Sequence, residues 1–281
     1  MSEGLKAINL NVIPDINTTE FLEFINDWEN KCKDLMFYST KWPVIKSANE
    51  LTIRKKVVDP GDNKEWYSRE FYPSKVKYNE LRRYLLVDHP KNMNNYIKSI
   101  NSVGCVQSIA PGIADVWYTS YSKRWGGGKR DFCSLFIKRE VTDAQKAQPR
   151  KLYTPASSFT NIQSLLESPS SRPHNTIGGI SSSQNSPSSF SGDHIIRRFQ
   201  VITIPINHPK CPKVPGNTRA LLENYDEVRE LANGDVVWLS VQSYSPRGWV
   251  FKSIANKAYL EELINIPNSL IKLIETNRAH R

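Results

Sequence analysis

The spacing of apolar residues near the amino terminus predicts an amphipathic helix. Its apolar positions recur at intervals of four, three, four and three residues, and they are Phe21, Ile25, Trp28, Cys32 and Leu35. This spacing places the five side chains on one face of a helix of about four turns. We expect Asn17 to cap the helix, because Glu20 follows three residues later as in a capping box.

The last part of the chain has the same periodicity over residues 249–274, where apolar residues form a wide stripe. Pro267 lacks a backbone N–H and clashes with the preceding turn of a straight helix. It suits the first position of a new helical turn, so we expect a bend at Asn265–Pro267 and a second segment that ends at Ile274. Such an apolar stripe has to pack against other apolar surface, and the strand-like segments before it can form a sheet that provides this surface.

Alternating apolar and polar residues predict strands in the middle of the chain. Residues 51–58 and 66–72 flank the turn sequence DPGD at 59–62, which predicts a hairpin. Residues 78–86 return to helical spacing, and a short helix is expected near Tyr96. Two further strands are expected at 115–121 and 132–141, with apolar residues on both faces of the second.

Three more strands follow residue 195. The segment FQVITIPIN at 199–207 is typical of a strand that is buried on both faces. Residues 219–231 and 236–244 are expected to pair through Asn233–Gly234, which favours a tight hairpin turn. The whole order predicts an α+β fold with an antiparallel sheet and with the helices grouped on one side.

The composition changes between residues 142 and 194, which are rich in serine, proline, asparagine and glutamine. A segment with so few apolar residues buries too little surface to offset the entropy of ordering. We therefore predict a disordered insertion, 142–194, within a single domain that spans residues 1–281. Ser168 and Ser186 each precede a proline and are candidate phosphorylation sites, with an unregulated flexible loop as an equal alternative.

Charge and cysteine content narrow the class of protein only modestly. The formal net charge of +10 favours anionic partners such as lipid head groups or nucleic acid. The four cysteines show neither a disulfide framework nor zinc spacing, so we expect reduced thiols; they are Cys32, Cys105, Cys133 and Cys211. We expect no signal peptide and no membrane-spanning segment, and hence a cytoplasmic protein that associates with membranes peripherally.

Catalysis has little support in the sequence. His89 and His208 each precede a proline, and both are expected to be structural. Neither a nucleophile with a base nor a cluster of metal ligands is evident at a recognisable spacing. We expect no metal, no cofactor and no enzymatic activity, although a site assembled from distant residues is an alternative.

Several stretches resemble a known family. They are WYSRE at 66–70, ELRRYLLVDHPKNMNNYI at 80–97, KRDF at 129–132, RRFQVITIPINHPKCP at 197–212, and then RALLENYDEVREL, WLSVQSYSPRGWV and INIPNSLIKLI. The sequence is similar to a fungal family of START-like domains, described mainly as a domain of unknown function. The resemblance implies a helix-grip fold, in which a curved antiparallel sheet wraps over a long C-terminal helix. The chain departs from the family at 218–220 and 70–72, which bears on ligand identity.

The resemblance also implies a hydrophobic ligand, often a lipid or sterol, between the sheet and the helix. Candidates for its apolar walls are Phe136, Val201, Trp238, Tyr244, Ile254, Tyr259 and Leu263. Candidates for an inward polar group are Arg54, Arg69, Arg219 and Glu223, of which we favour the last two. Ordinary core packing competes with each aromatic assignment, and a one-residue error in strand register would exchange the two faces.

The loop SKRWGGGKR is a candidate for membrane contact. Its residues Lys123, Arg124, Lys129 and Arg130 surround Trp125 and three glycines. A tryptophan among basic residues suits an anionic membrane surface. A solvated loop is the alternative, and nucleic-acid binding is disfavoured because no recognised motif accompanies the patch. The loop lacks the spacing of a phosphate-binding loop.

We therefore expect a monomeric START-like module that binds a lipid or sterol and transfers it between membranes, with the final helix or a loop as a gate. One alternative is a cyclase- or hydrolase-type enzyme on the same fold, which an inward carboxylate or histidine would favour. Another is a non-catalytic interaction module regulated through the serine-rich insertion, which a filled interior would favour.

Overall fold

The computed structural model describes residues 4–48, 50–58, 64–87, 89–124, 128–142 and 194–280. The strands in these ranges are β1 (Ile8–Asn9), β2 (Val44–Ala48), β3 (Leu51–Lys55), β4 (Trp66–Phe71), β5 (Ile100–Ala110), β6 (Ala114–Tyr121), β7 (Arg130–Thr142), β8 (Ile195–Asn207), β9 (Thr218–Arg219), β10 (Leu221–Leu231) and β11 (Val236–Ser245). The helices are α1 (Thr19–Ser39), α2 (Tyr78–Arg82), α3 (Met93–Tyr96) and α4 (Lys252–Ala279), with a 3-10 turn at Leu10–Val12 and a π-helical turn at Arg83–Val87.

One antiparallel sheet contains nine of the described strands in the order β2-β3-β4-β11-β10-β8-β7-β6-β5. The strands β1 and β9 add short parallel pairings to β8 and β7. Both predicted strand pairs are confirmed, because β3 pairs with β4 and β10 with β11. Gly234 turns the second hairpin with a φ of 87°, which favours glycine. The predicted turn at 59–62 lies outside the described residues.

The sheet is buried on both faces, because successive residues of a strand point in opposite directions. On β8, Phe199 and Val201 belong to the apolar cluster that includes α4, whereas Ile202 and Ile204 belong to the cluster that includes α1. We call these sides the α4 face and the α1 face. Residues of α2 and α3 also lie on the α4 face. The expectation that all helices group on one side is wrong for α1, whose apolar stripe covers the second face.

Two details of the predicted helices are corrected. Thr18 rather than Asn17 caps α1, because its Oγ1 accepts a hydrogen bond from Phe21 N at 3.3 Å. The helix α4 continues through Pro267 without the expected interruption. A proline inside a helix costs roughly 3 kcal/mol relative to alanine. Buried residues on both sides of it, among them Tyr259 and Leu270, hold the helix against the sheet and outweigh this cost.

Strand β5 is not predicted by the sequence pattern. Its residues mix polar side chains with Gly104, and most of them are exposed or half-buried. The strand lies at the edge of the sheet, where pairing to β6 rather than a buried apolar face holds it. An edge strand of this kind has no clear apolar alternation to reveal it.

Strands β7 and β8 are antiparallel neighbours, with Thr142 opposite Arg197. The serine-rich segment therefore connects two paired strands of one sheet. Residues 143–193 lie outside the described residues, and so do the candidate phosphorylation sites Ser168 and Ser186. The disorder of this segment and the single-domain boundary stay predictions.

Candidate ligand-binding cavity

A small cavity lies between the α4 face of the sheet and the helices that cover it. Its volume is about 80 Å³, which is room for a few water molecules. Apolar walls come from residues such as Leu85, Ile97, Phe136, Leu222 and Ile266, and polar groups come from Arg69, His89, Asn224 and Asp226. An apolar pocket with a few converging polar groups is typical of a small-molecule site.

Arg69 extends from β4 into this cavity and is 2% exposed. Its Nη2 lies 3.7 Å from Asp226 Oδ1, and its guanidinium carbon lies 4.2 Å from the ring centroid of Trp238. Burial lowers the pKa of Arg69, and the charge of Asp226 opposes that effect. Within the described part of the chain, Nε and Nη2 have no hydrogen-bond partner. These two nitrogens are therefore available to an oxygen atom of a ligand.

Asp226 supplies the counter-charge and is itself held in place. Its Oδ1 accepts a hydrogen bond from Trp238 Nε1 at 2.9 Å, and its Oδ2 accepts one from Asn224 Nδ2 at 2.5 Å. Both carboxylate oxygens thus have a donor before any ligand arrives. Asp226 therefore orients Arg69 and balances its charge.

A chain of hydrogen bonds connects Asp226 to α4 through Asn224. Asn224 Oδ1 accepts from Ser240 Oγ at 3.0 Å, and Ser240 Oγ accepts from Gln242 Nε2 at 2.7 Å. Gln242 Oε1 accepts from Tyr259 OH at 2.6 Å. Since linked hydrogen bonds polarise one another, movement of α4 at Tyr259 would disturb the polar end of the cavity.

Two further basic groups lie at the cavity wall. The ring of His89 lies 5.2 Å from that of Phe136, and burial, with a smaller effect of Lys138, lowers the pKa of His89 to about 3. His89 is therefore neutral at pH 7. Arg124 Nη2 lies 3.0 Å from Glu262 Oε2, and this ion pair connects α4 to the segment that follows β6.

The structure places most of the predicted apolar wall on the α4 face. Phe136 and Trp238 line the cavity, and the side chains of Val201, Tyr259 and Leu263 are buried in the same cluster, with Tyr244 half-buried against it. Ile254 differs, because its side chain is 48% exposed.

The two favoured polar candidates lie elsewhere. Arg219 donates to Asp131 Oδ1 at 2.9 Å, away from the cavity lining. Glu223 is on the α1 face, where its carboxylate oxygens lie 2.8 Å from Lys31 Nζ and 2.7 Å from Lys64 Nζ. Asn224 and Asp226 were missed because they alternate with Glu223 along β10 and so face the opposite side.

Arg54 is also outside the cavity lining, paired with Glu70 at 2.8 Å. Of the four polar candidates, Arg69 alone lines the cavity. The signal that could have selected it is its position on β4 between Tyr67 and Phe71, because all three share the α4 face.

The predicted membrane loop is corrected in part. Arg124 and Arg130 are 6% and 3% exposed, and Arg130 Nε donates to Pro246 O at 3.0 Å. Both side chains are therefore buried in the protein and do not face a membrane. Lys123 and Lys129 are exposed, and Trp125 lies outside the described residues.

An exposed aromatic pair that the sequence reasoning missed lies next to this loop. Trp249 and Phe251 precede α4, are 90% and 62% exposed, and have ring centroids 5.2 Å apart. Thr218 links this segment to the loop, because its N donates to Lys129 O at 3.1 Å and its side chain lies against Gly248.

The sequence matches the family described as "Protein of unknown function (DUF3074)" over residues 66–272. The chain belongs to this family. The match confirms the resemblance to a family of unknown function, and it covers the strands and helices that form the cavity. A comparison with curated protein sequences finds no match.

The fold of this family member is similar to that of solved lipid transfer domains. Human StAR-related lipid transfer protein 5 superimposes with a TM-score of 0.61 at 12% identity, over 92% of this chain and 100% of that chain. Human STARD10 superimposes with a TM-score of 0.59 at 11% identity, over 92% of this chain and 80% of that chain. A STAR-related lipid transfer protein from Xanthomonas axonopodis superimposes with a TM-score of 0.53 at 13% identity, over 83% of this chain and 98% of that chain. These similarities confirm the START-like, helix-grip fold.

Two features of the described residues concern membranes and metal ions. None of their helices is long and apolar enough to cross a membrane. Their His, Cys, Asp and Glu side chains form no group of three or more that could hold a metal ion.

Proposed function

We propose that this protein binds a lipid, sterol or other hydrophobic ligand between the sheet and α4, and carries it between membranes as a cytoplasmic monomer without catalysis. The observation that supports this most is Arg69, a buried cation with two unused nitrogen donors in a largely apolar cavity. An unsatisfied buried donor costs roughly 1–3 kcal/mol, so a ligand oxygen at this point would stabilise the protein. The START-like fold adds support, because the similar structures are named as lipid transfer proteins.

The polar groups constrain the chemistry of the ligand. Asp226 already accepts hydrogen bonds at both oxygens, whereas Arg69 has donors left over. The polar end of the ligand is therefore an acceptor, such as a hydroxyl, carbonyl or carboxylate oxygen. The remainder is apolar, to match Phe136, Leu222 and Ile266.

The cavity has to enlarge before it accepts such a ligand. Its volume is about 80 Å³, whereas ligand pockets occupy on the order of 300–1,000 Å³. Displacement of α4 would open it and would break the bond between Tyr259 and Gln242 and the ion pair between Arg124 and Glu262. If α4 does not move, the interior is filled and the interaction module becomes the better interpretation.

We propose that the exposed residues before α4 contact an anionic membrane. Trp249, Phe251 and Ile254 present apolar surface, while Arg247 and Lys129 beside them are exposed and basic. Aromatic rings favour the membrane interface, and each basic residue near an anionic surface contributes about 1 kcal/mol. This position would bring the first turn of α4, and hence the gate of the cavity, to the membrane.

The deciding experiment is native mass spectrometry of the full-length protein after incubation with mixed liposomes, followed by extraction of the bound molecule. We expect one lipid or sterol per chain, and we expect Arg69→Met to lose it. Arg54→Met is the matched control, because Arg54 is on the adjacent strand and outside the cavity lining. A wild-type protein that stays empty would overturn the carrier proposal in favour of the interaction module.

An enzyme on the same fold is the second candidate, because a carboxylate and a histidine do line the cavity. Two observations make it weaker. The oxygens of Asp226 are occupied by Trp238 and Asn224, and a pKa of about 3 makes His89 a poor base at pH 7. The extracted molecule distinguishes the two functions: an unchanged mass supports a carrier, and a hydrolysed or cyclised product supports an enzyme.

A further inference from the structure

The cavity has a second polar region, separate from Arg69. Three hydroxyl side chains line it on neighbouring strands: Thr119 of β6, Ser134 of β7 and Thr203 of β8. These three residues are 4%, 3% and 4% exposed. Apolar side chains would suit a plain hydrocarbon chain better at these positions, because a buried hydroxyl without a partner costs free energy. The hydroxyls therefore indicate that this part of the cavity receives a polar group.

His89 lies against the same region of the cavity. Its ring centroid is 5.2 Å from that of Phe136, and Phe136 is opposite Thr203 in the pairing of β7 with β8. Among the residues that the structure describes, none is a hydrogen-bond partner of the buried His89 Nδ1. Like Arg69, His89 thus lines the cavity and has a buried nitrogen that a ligand atom could satisfy.

The order of the strands gives the separation of the two polar regions. The Arg69 guanidinium lies beside Asp226 on β10, whereas His89 packs on Phe136 of β7. Strand β8 lies between β10 and β7 in the sheet. Two inter-strand spacings therefore separate the polar regions, which makes them roughly 10 Å apart. A ligand that contacts both regions carries two polar groups at this separation.

The chemistry of the second polar group follows from the protonation state of His89. Burial lowers the pKa of His89 to about 3, so its ring is neutral at pH 7. Nδ1 of a neutral imidazole either donates or accepts a hydrogen bond, depending on the tautomer. A hydroxyl group can do both, and it also suits the hydroxyls of Ser134 and Thr203. A carboxylate only accepts and gains no counter-charge from a neutral ring, so a hydroxyl fits this position best.

We propose that the preferred ligand is a hydroxylated lipid or sterol, with one oxygen at Arg69 and a hydroxyl roughly 10 Å away, beside His89 and Thr203. This inference rests on the proposed function and names the class of ligand. The carbon skeleton between the two oxygens packs against apolar walls such as Phe136 and Leu222. A ligand without the hydroxyl would leave the second polar region unsatisfied and would bind more weakly.

The test compares ligands that differ by one hydroxyl. Full-length protein is incubated with equimolar stearic acid and 10-hydroxystearic acid, and separately with androstan-3β-ol and androstane-3β,17β-diol, and native mass spectrometry measures which member is bound. In the hydroxy acid and the diol, the two oxygen groups are about as far apart as the two polar regions. We expect the hydroxylated member of the pair that binds to be preferred about tenfold, as one or two net hydrogen bonds would give.

A positional isomer is the matched ligand control. The hydroxyl of 2-hydroxystearic acid is beside the carboxylate, so this acid should show no preference over stearic acid. Equal occupancy within both pairs, or an equal preference for the two hydroxy acids, would overturn this inference while the observed binding supports the carrier proposal. Failure of both pairs to bind would also overturn it, and the lipid extracted after incubation with liposomes then decides the carrier proposal separately.

Two variants locate the second polar region. His89→Phe keeps an aromatic ring beside Phe136 but removes the nitrogen, so the tenfold preference should fall to about twofold or less while the unhydroxylated ligand still binds. Thr203→Val removes one hydroxyl at similar volume and should lower the preference in part. His280→Phe, at an exposed position, is the control and should keep the full preference. An unchanged preference in both cavity variants would overturn the assignment, and the comparison of ligands in the wild type requires no variant to fold.

Discussion

Arg69 Nη1 lies 3.5 Å from the backbone oxygen of Leu263 in the middle of α4. In a regular helix that oxygen accepts from the residue four positions later, which here is Pro267, and proline has no N–H. The buried arginine of the cavity therefore contacts the carbonyl that the proline leaves open. The polar end of the cavity and the middle of α4 are connected through this contact.

The variant Pro267→Ala should stabilise the protein. Alanine restores the donor to Leu263 O and removes the helix penalty of roughly 3 kcal/mol, while the smaller buried side chain costs part of that gain. We expect the free energy of unfolding to rise by about 1 kcal/mol in urea titrations. Asn268→Ala, at the exposed neighbouring position, should change it little. A loss of stability in Pro267→Ala would show that packing of the ring outweighs the missing donor.

The effects of removing the charges of Arg69 and Asp226 on the free energy of unfolding should not be additive. Asp226→Asn leaves a buried guanidinium without its counter-charge, so we expect a loss of about 3 kcal/mol. The double variant Arg69→Met/Asp226→Asn removes both charges and should recover most of that loss. A double-mutant cycle in denaturant measures the coupling. Additive losses would mean that the 3.7 Å pair contributes no coupling energy.

His89 should make the protein less stable in mild acid. Its folded pKa of about 3 lies below the unfolded value of about 6.5. Between these two pKa values the unfolded chain binds a proton at His89 and the folded chain does not. The free energy of unfolding therefore falls as the pH drops below about 6.5. Between pH 6.5 and pH 5 we expect a loss of about 1–2 kcal/mol from this group, at 1.36 kcal/mol per pH unit.

The variant His89→Asn should reduce this dependence, and His280→Asn, at an exposed position near the end of α4, should not. Urea unfolding at several pH values between 5 and 7 measures the slopes. Parallel slopes for the wild type and His89→Asn would assign the acid sensitivity to other groups.

The double variant Trp249→Ala/Phe251→Ala should weaken binding to vesicles that contain phosphatidylserine. Both rings are more than half exposed, so their removal leaves the fold intact and takes away the apolar contact. We expect at least a tenfold loss of affinity in sedimentation with vesicles, on the basis of about 1.4 kcal/mol per factor of ten. Phe37→Ala, which removes an exposed ring at the end of α1, is the matched control. Equal losses in both variants would refute a specific membrane surface.

The sequence pattern predicts the large elements because their residues are buried periodically. The run from Phe199 to Ile206 is buried on both faces as expected, and it lies between β7 and β10 in the middle of the sheet. The stripe of α4 likewise predicts the helix that covers the α4 face. Such patterns depend on local spacing, which the sequence carries directly.

The polar site could not be predicted with the same certainty, because it depends on register between distant strands. Glu223 and Asp226 are both acidic residues of β10, and only pairing with β11 and β8 determines which of them faces Arg69. The continuity of α4 through Pro267 depends in the same way on contacts from remote strands. Local sequence shows the proline but not the packing that overrides it.

The pairing of β7 with β8 has a consequence for how the chain changes in evolution. The two strands are neighbours in the sheet although residues 143–193 separate them along the chain. A disordered connection, which is what the composition of this segment predicts, becomes harder to close only with the logarithm of its length, by about 0.6 kcal/mol for each doubling. Insertions and deletions between Thr142 and Ile195 therefore change the energy of the sheet very little. Homologous chains can diverge in length here while the paired strands and the cavity beside them are retained.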